Sequence, residues 1–336
     1  MKRSSLARVF VCWLMSVFLW GCSENAAKEK VGISFGVGEA KRWPYEMEIM
    51  KIRAKELGLE VEARLNKNEN EKSQKSDCED LINGGASVLV VVPRNADDAS
   101  GILDLAHSRN VKVIMYARPV TTGGFDFFVG YDTYKIGKSL GDFAAERILR
   151  GNVAILKGDE GDINTMPLSN GVNDSIRPYV ESGNINVVAD EYVDGWSPVQ
   201  AKNLMTKILK QSGGKIDGVL AHNDILAEAA IEAIKDYGIK NKVMVVGMDA
   251  ELPALKRLVR SEQDATVYMD SKVLAASAMD VAYGMVKNKP FTVNGRFETR
   301  SGEQIDAYLI NGQIVTKENL HRLIVETGVY GEEDLQ

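Results

Sequence analysis

Beyond residue 30 the chain alternates short β-branched apolar runs with stretches whose apolar residues recur every three or four positions. Residues 31–35, 61–65, 88–92 and 111–116 predict strands, and 45–57, 72–83 and 99–108 predict the helices among them. After an extended stretch at 125–131 the rhythm resumes. Helices at 136–149, 170–180, 198–209, 225–237, 252–259 and 273–286 alternate with strands at 153–156, 185–189, 219–221, 243–246 and 265–268. In the 225–237 helix, Ile225, Leu226, Ala229, Ala230, Ala233 and Ile234 share one face, and Asp224 is placed to cap it. Gly58, Gly84 and Gly238 fall where helix ends call for a residue that tolerates positive φ. The remainder, punctuated by Gly295, Gly302 and Gly312, reads as irregular with strand-like pieces. This alternation argues parallel sheets with helices on both faces, arranged as two similar α/β halves.

Several predicted strands end in a polar or aromatic cluster. Val187-Val188 leads to Asp194-Gly195-Trp196, Val219-Leu220-Ala221 to Asn223-Asp224, and Val243-Met244-Val245-Val246 to Gly247-Met248-Asp249. Ligands of open α/β sheets bind beyond the carboxyl ends of the strands, so these clusters are expected to converge in one crevice. Carboxylates and amides hydrogen-bond hydroxyls, and an indole offers a flat apolar face to the C–H side of a pyranose. The chemistry suits a polyol.

The start of the chain reads as an address. Lys2, Arg3 and Arg8 precede an apolar stretch at 9–20, which is too short to span a bilayer core of roughly 30 Å as a helix. It reads as a cleaved secretory signal over 1–21. Leu19-Trp20-Gly21-Cys22 resembles a bacterial lipobox, which would make Cys22 the lipidated first residue. Trp20 departs from that pattern, and an ordinary signal with an incidental cysteine is the alternative. Residues 22–30 then form a polar tether, and Cys78, in a helical run, is expected to pack rather than react.

Hydrophobic residues make up 45 % of the chain and charged residues 26 %, ordinary for a globular protein of two domains. The net charge of -6, with no basic block beyond the signal, argues against nucleic acid as a partner. Enzyme readings lack parts. His107, His222 and His321 have no Ser or Cys partner at motif spacing, and Gly36-Val37-Gly38 fails the dinucleotide fingerprint at its third glycine. Asp224 and Asp249 only mimic a glycosidase pair. No His or Cys cluster has metal spacing, and the acidic 159–164 loop lacks the EF-hand order. The expectation is a protein that is not an enzyme and uses no cofactor and no metal.

Together these stretches resemble the periplasmic sugar-binding proteins of the ribose and galactose type, and among them the D-xylose-binding branch of bacterial ABC importers. The resemblance rests on Arg42-Trp43, on Tyr131-Asp132 through Ile136-Gly137, on Val193-Asp194-Gly195-Trp196-Ser197-Pro198, and on Asn223-Asp224, Gly247-Met248-Asp249-Ala250 and Leu255-Lys256-Arg257. It implies a type I periplasmic binding protein fold, with two Rossmann-like lobes of parallel sheet joined by a three-segment hinge. The N-terminal lobe would take 31–131 and 270–292, and the C-terminal lobe 132–269 and 293–336. It implies sugar contacts from Arg42, Trp43, Arg118, Asn164, Trp196, Asn223 and Asp249, with Trp43 and Trp196 enclosing the ring from opposite lobes.

The implied function is capture of a monosaccharide, a xylose-like pentose or related aldose, by hinge closure and delivery to an ABC permease. The protein would be monomeric and extracytoplasmic, held to a bacterial membrane by its lipid. A second reading presents the same clamp to a chemoreceptor or sensor kinase. A sugar-responsive repressor core shares the fold, but the secretion signal argues against it. Two departures stand out: the xylose type carries Tyr-Asp-Arg where this chain has Tyr116-Ala117-Arg118, and Val-Tyr-Lys where it has Val267-Tyr268-Met269. Loss of an acceptor and a cation together implies a retuned pocket and puts xylose itself in doubt.

Overall fold

The computed structural model describes residues 29–36, 42–66, 71–94, 99–120 and 123–336. The signal assignment over 1–21 and the lipidation of Cys22 lie outside the described residues, as does most of the tether.

The N-terminal lobe is built on seven strands: β1 (Lys30–Phe35), β2 (Glu60–Leu65), β3 (Ala86–Val92), β4 (Lys112–Tyr116), β5 (Phe127–Tyr131), β11 (Gly295–Glu298) and β12 (Gln304–Ile310). They lie in the order β11-β12-β5-β4-β3-β1-β2, parallel except for β11. The central run Val88-Leu89-Val90-Val91-Val92 is buried throughout, because helices cover both faces. Helices α1 (Arg42–Leu57) and α9 (Ser271–Lys287) enclose one core, and α2 (Glu71–Asn83) and α3 (Ser100–Ser108) the other. Cys78 is buried in the second core, as a packing role requires, and burial pushes its thiol up to about 12.

In the C-terminal lobe, β6 (Gly151–Lys157), β7 (Ile185–Tyr192), β8 (Gly218–Ala221) and β9 (Met244–Val246) form a parallel sheet in the order β7-β6-β8-β9. A Val246–Ala265 bridge continues it to β10 (Thr266–Tyr268), which pairs antiparallel with β13 (Gln313–Val315). Helices α4 (Thr133–Ile148) and α5 (Thr165–Glu181) cover one face, and α6 (Pro198–Gln211) and α7 (Asp224–Tyr237) the other. Helix α8 (Leu252–Val259) joins a small core with the C-terminal turns. Glycines let α4 and α5 approach backbone to backbone: a Cβ on Gly137 would stand 2.1 Å from the Leu168 carbonyl oxygen. That contact fixes the start of α5, which faces the other lobe.

The chain crosses between lobes after β5, after β10 and between β12 and β13. Asp132 caps α4 by accepting from Lys135 N at 3.0 Å, and Asp270 caps α9 by accepting from Lys272 N and Val273 N, both at 3.0 Å. Each of these two crossings therefore launches a capped helix into the opposite lobe. Asp132 N also donates to the Ile310 carbonyl at 2.9 Å, tying the first crossing to the third.

Three expectations are corrected. Residues 293–336 do not all belong to the C-terminal lobe: Ala307 to Ile310 pair in parallel with Phe128 to Tyr131, so β11 and β12 extend the N-terminal sheet and the third crossing falls at 310–313, not near 291–294. Asp224 is not the cap of α7; the Asn223 side chain accepts from Leu226 N at 2.9 Å instead. At the end of α2, Gly85 rather than Gly84 takes the left-handed conformation, with φ of 101°. Gly58 and Gly238 have φ of 70° and 85°, as helix ends require.

Candidate functional site

A cavity of about 310 Å³ lies between the lobes at the carboxyl ends of both sheets, at the small end of the roughly 300–1,000 Å³ range of ligand pockets. Arg42 and Trp43 reach it from the start of α1, Ala117 and Arg118 from the end of β4, and Phe128, Tyr131 and Thr133 from the first crossing. The opposite lobe supplies Asp162, Asn164 and Leu168 after β6, Trp196 after β7, Asn223 after β8, Met248 and Asp249 after β9, and Met269 after β10. All seven residues expected at the ligand thus share one cavity, and so do both departures, Ala117 and Met269. A larger groove of about 520 Å³ between α7 and α8 is lined by charges already engaged with one another, such as Lys235 with Glu262 at 3.2 Å and Arg257 with Glu228 at 3.0 Å.

On the N-terminal wall a buried network holds the cations. Arg42 Nε donates to Glu46 at 2.6 Å, the Tyr116 hydroxyl donates to the other Glu46 oxygen at 2.7 Å, and Arg42 Nη2 makes a longer contact of 3.4 Å to the Tyr131 hydroxyl. Burial opposes the charge on Arg42, but Tyr131 and Glu46 outweigh it and hold the guanidinium pKa above its ordinary value. Burial and the neighbouring Arg42 push Arg118 down, with Asp162 opposing. The Arg42 guanidinium stands 4.4 Å from the Trp43 ring centre and that of Arg118 5.8 Å, while Phe35 meets the ring edge-on at 5.7 Å. Trp43 lines the cavity at 3 % exposure and serves as a platform for the two guanidiniums.

The C-terminal wall is built from acceptors and amides. Asn223 uses its oxygen to cap α7, which leaves its amide N–H groups to donate. Asp249 has φ of 104°, and burial with the nearby Glu251 raises its carboxyl to about 7 against the pull of Arg42. Trp196, with φ of 54°, ends a short turn and lies against Gly158, where any Cβ would strike the indole at 2.1 Å. Asp159 braces this turn by accepting from Gly195 N, and also accepts from Gly161 N at 2.7 Å. Ala117, Trp196 and Asp249 all hold positive φ, a conformation that costs a non-glycine residue energy. Behind Asp249, Asp224 accepts from Gln263 Nε2 and Thr266 Oγ1, both at 2.8 Å, and from Glu251 N at 3.1 Å. Burial and Asp249 still raise it to about 8. Asp224 underpins the site without lining it.

Sequence reasoning missed Phe128, Tyr131, Thr133, Asp162, Leu168 and Met248 as lining residues. Asp162 and Met248 adjoin residues that were singled out, so the loop containing Asn164 and the Gly247-Met248-Asp249 cluster carried a signal. Phe128 and Leu168 sit in core patterns and carried none.

Two α/β lobes hinged by three crossings, with polar groups from both meeting in a small cavity between them, define a solute-binding clamp. The profile of the periplasmic binding protein domain matches residues 46–290, and the chain belongs to the periplasmic binding protein family, with its type I fold. Its relatives are solute-binding proteins rather than enzymes. The chain is 30 % identical over 324 residues to the D-xylose-binding periplasmic protein of Escherichia coli (strain K12), covering 95 % of this chain and 96 % of the relative. It is 29 % identical to the protein of the same description from Haemophilus influenzae, covering 94 % and 95 %. An ABC transporter solute-binding protein from Clostridium phytofermentans with bound β-D-glucose superposes with a TM-score of 0.78 at 25 % identity, covering 91 % of this chain and all of that one.

Proposed function

We propose that the protein is a lipid-anchored, extracytoplasmic receptor that captures a monosaccharide by closing its lobes and delivers it to an ABC permease. One observation carries the reading: loops from both lobes bring cations, carboxylates, amides and an indole into a single cavity of about 310 Å³. Sugar hydroxyls both donate and accept, so one ring satisfies groups on both walls only when the lobes are shut. The names of the relatives, which bind D-xylose or hold glucose, support a single aldose as ligand. Arg42, Trp43, Arg118, Asn164, Trp196, Asn223 and Asp249 are assigned as the contacting side chains. Ala117 and Met269 weaken the case for xylose itself, because an acceptor and a cation of the xylose-type pattern are replaced by a methyl and a thioether.

Thermal melting of the mature protein against a panel of pentoses and hexoses tests this reading. A true ligand at a hundred times its dissociation constant adds roughly 2.7 kcal/mol of stability. A flat response to every sugar defeats the assignment. The anchor is tested separately: Cys22→Ala is expected to release the protein from the membrane fraction, and continued retention counts against lipidation at that residue.

A further inference from the structure

We infer that the ligand is a deoxy sugar of the 6-deoxyhexose class, carrying a methyl group where common hexoses carry a hydroxymethyl. The inference rests on the cavity being a sugar site and concerns how its walls divide. Met248 and Met269 line the cavity at the ends of β9 and β10 and pack, with Tyr131, against the core that holds Leu168. Leu168 also lines the cavity and is only 1 % exposed. Across the cleft Ala117 packs, again with Tyr131, against the core of the other lobe. Tyr131 packs against both clusters, so the apolar lining contributed by the two lobes meets at the first crossing.

Apart from the Tyr131 hydroxyl, which Arg42 Nη2 contacts at 3.4 Å, this lining has little to offer a hydroxyl. A thioether is a weak acceptor, and the leucine and alanine side chains have no polar atom. A sugar hydroxyl pressed against them loses its water without replacement, whereas a methyl gains contact with two polarisable sulfurs. Asp162, Asn164, Asn223 and Asp249 also line the cavity and can serve the ring hydroxyls. Ala117 and Met269 leave the apolar lining uncharged, and an ionised side chain at either position would interrupt it.

The test is calorimetry on the mature protein with sugars that differ only in the group on C5. D-Xylose, 6-deoxy-D-glucose and D-glucose form one such series, and L-arabinose, D-fucose and D-galactose another. L-Rhamnose with L-mannose compares methyl against hydroxymethyl in a third configuration. In the configuration that the site accepts, the methyl member is expected to bind roughly ten- to a hundredfold tighter than the hydroxymethyl member. Met269→Lys should narrow or reverse that preference, and the neutral Met269→Gln serves if the lysine variant does not fold. Tightest binding by the hydrogen or hydroxymethyl member in every series that binds overturns the inference while leaving the sugar clamp intact. Binding by no sugar at all removes both.

Discussion

The two walls of the cavity differ in the groups they present. The N-terminal lobe presents guanidiniums, Arg42 and Arg118, arrayed on Trp43, with Arg42 braced by Glu46 and Tyr131. The C-terminal lobe presents the carboxylates Asp162 and Asp249 and the amides Asn164 and Asn223, with Asp249 and Trp196 held in left-handed backbone. Each lobe alone therefore holds half of a hydrogen-bonding site. A polyol between the walls bridges donors on one side and acceptors on the other, so affinity and closure become one event.

The largest effect is expected from weakening the acceptor wall. Asp249→Asn keeps the volume but replaces one acceptor oxygen with a donor and removes the charge that Asp249 carries above about pH 7, at a cost of about 1 to 3 kcal/mol in affinity at pH 8. Trp196→Ala should also weaken binding, through lost stacking area. Calorimetry with the best sugar from the melting panel reads both, and unchanged affinity in the two variants would move the site elsewhere.

Charge exchange between the walls sharpens the comparison further. Ala117→Asp alone and Met269→Lys alone each bury a lone charge and should lower the melting temperature. Ala117 has φ of 58°, a conformation that aspartate tolerates, so the cost at that position comes from charge rather than from the backbone. The double variant should recover stability and gain xylose affinity beyond the sum of the singles by about 0.5 kcal/mol or more. Simple additivity in both readouts would mean that the positions act independently.

A smaller effect is expected away from the ligand. The Arg300 side chain, in the β11–β12 turn of the N-terminal lobe, donates to the Gly161 carbonyl in the loop of the opposite lobe that carries Asp162 and Asn164. This bond exists only when the lobes are together. Arg300→Ala should speed sugar release by roughly tenfold or less, in line with about 1 kcal/mol for an exposed hydrogen bond, and leave association unchanged. Stopped-flow tryptophan fluorescence separates the two rates, and a slower association with unchanged release would argue against a latch.

The smallest effect concerns pH. Burial holds Asp224 up to about 8 and Asp249 up to about 7, far above an unfolded carboxyl near 3.9. Through that interval the folded protein keeps protons that the unfolded chain has lost, so this contribution is full at low pH and is lost as pH rises through 7 to 8. His222 works in the opposite sense. Burial and Lys157 hold its pKa down to about 3, so its contribution is lost as pH falls below its ordinary 6.5. Between pH 6.5 and 8 the carboxylates dominate, and the unliganded melting temperature should fall by about 2 °C or more. Asp249→Asn should flatten that decline, while His222→Gln should change only the acid side. A wild-type melting temperature that rises across the interval would contradict the buried-proton account.

Much of this contrast between walls was legible in the sequence, for local reasons. Trp196, Asn223 and Asp249 follow within a few residues of strand ends, and strand ends of an open α/β sheet are where ligands bind. The apolar run at 88–92 and the one-faced helix at 225–237 announced their elements through period alone. What escaped depended on distant partners. The strand Gln304–Ile310 alternates buried Ile305 and Ala307 with polar neighbours, a short signal that acquires meaning only against β5, far earlier in the chain. Asn223 and Asp224 are both good caps. The structure selects Asn223 because Asp224 is drawn into bonds with Gln263 and Thr266, residues that no local pattern associates with it. The gathering of Arg42 and Arg118 at the Trp43 ring was hidden for the same reason, since it arises through tertiary contacts.

The most direct test of the central claim is a crystal structure of the mature protein with the sugar that raises its melting temperature most. The account predicts one sugar ring between the lobes, with hydroxyls bonded to Asn223 and Asp249 on one wall and to Arg42 or Arg118 on the other, and Trp196 against its C–H face. A sugar bound outside this cavity, or touching the groups of one lobe only, would contradict it.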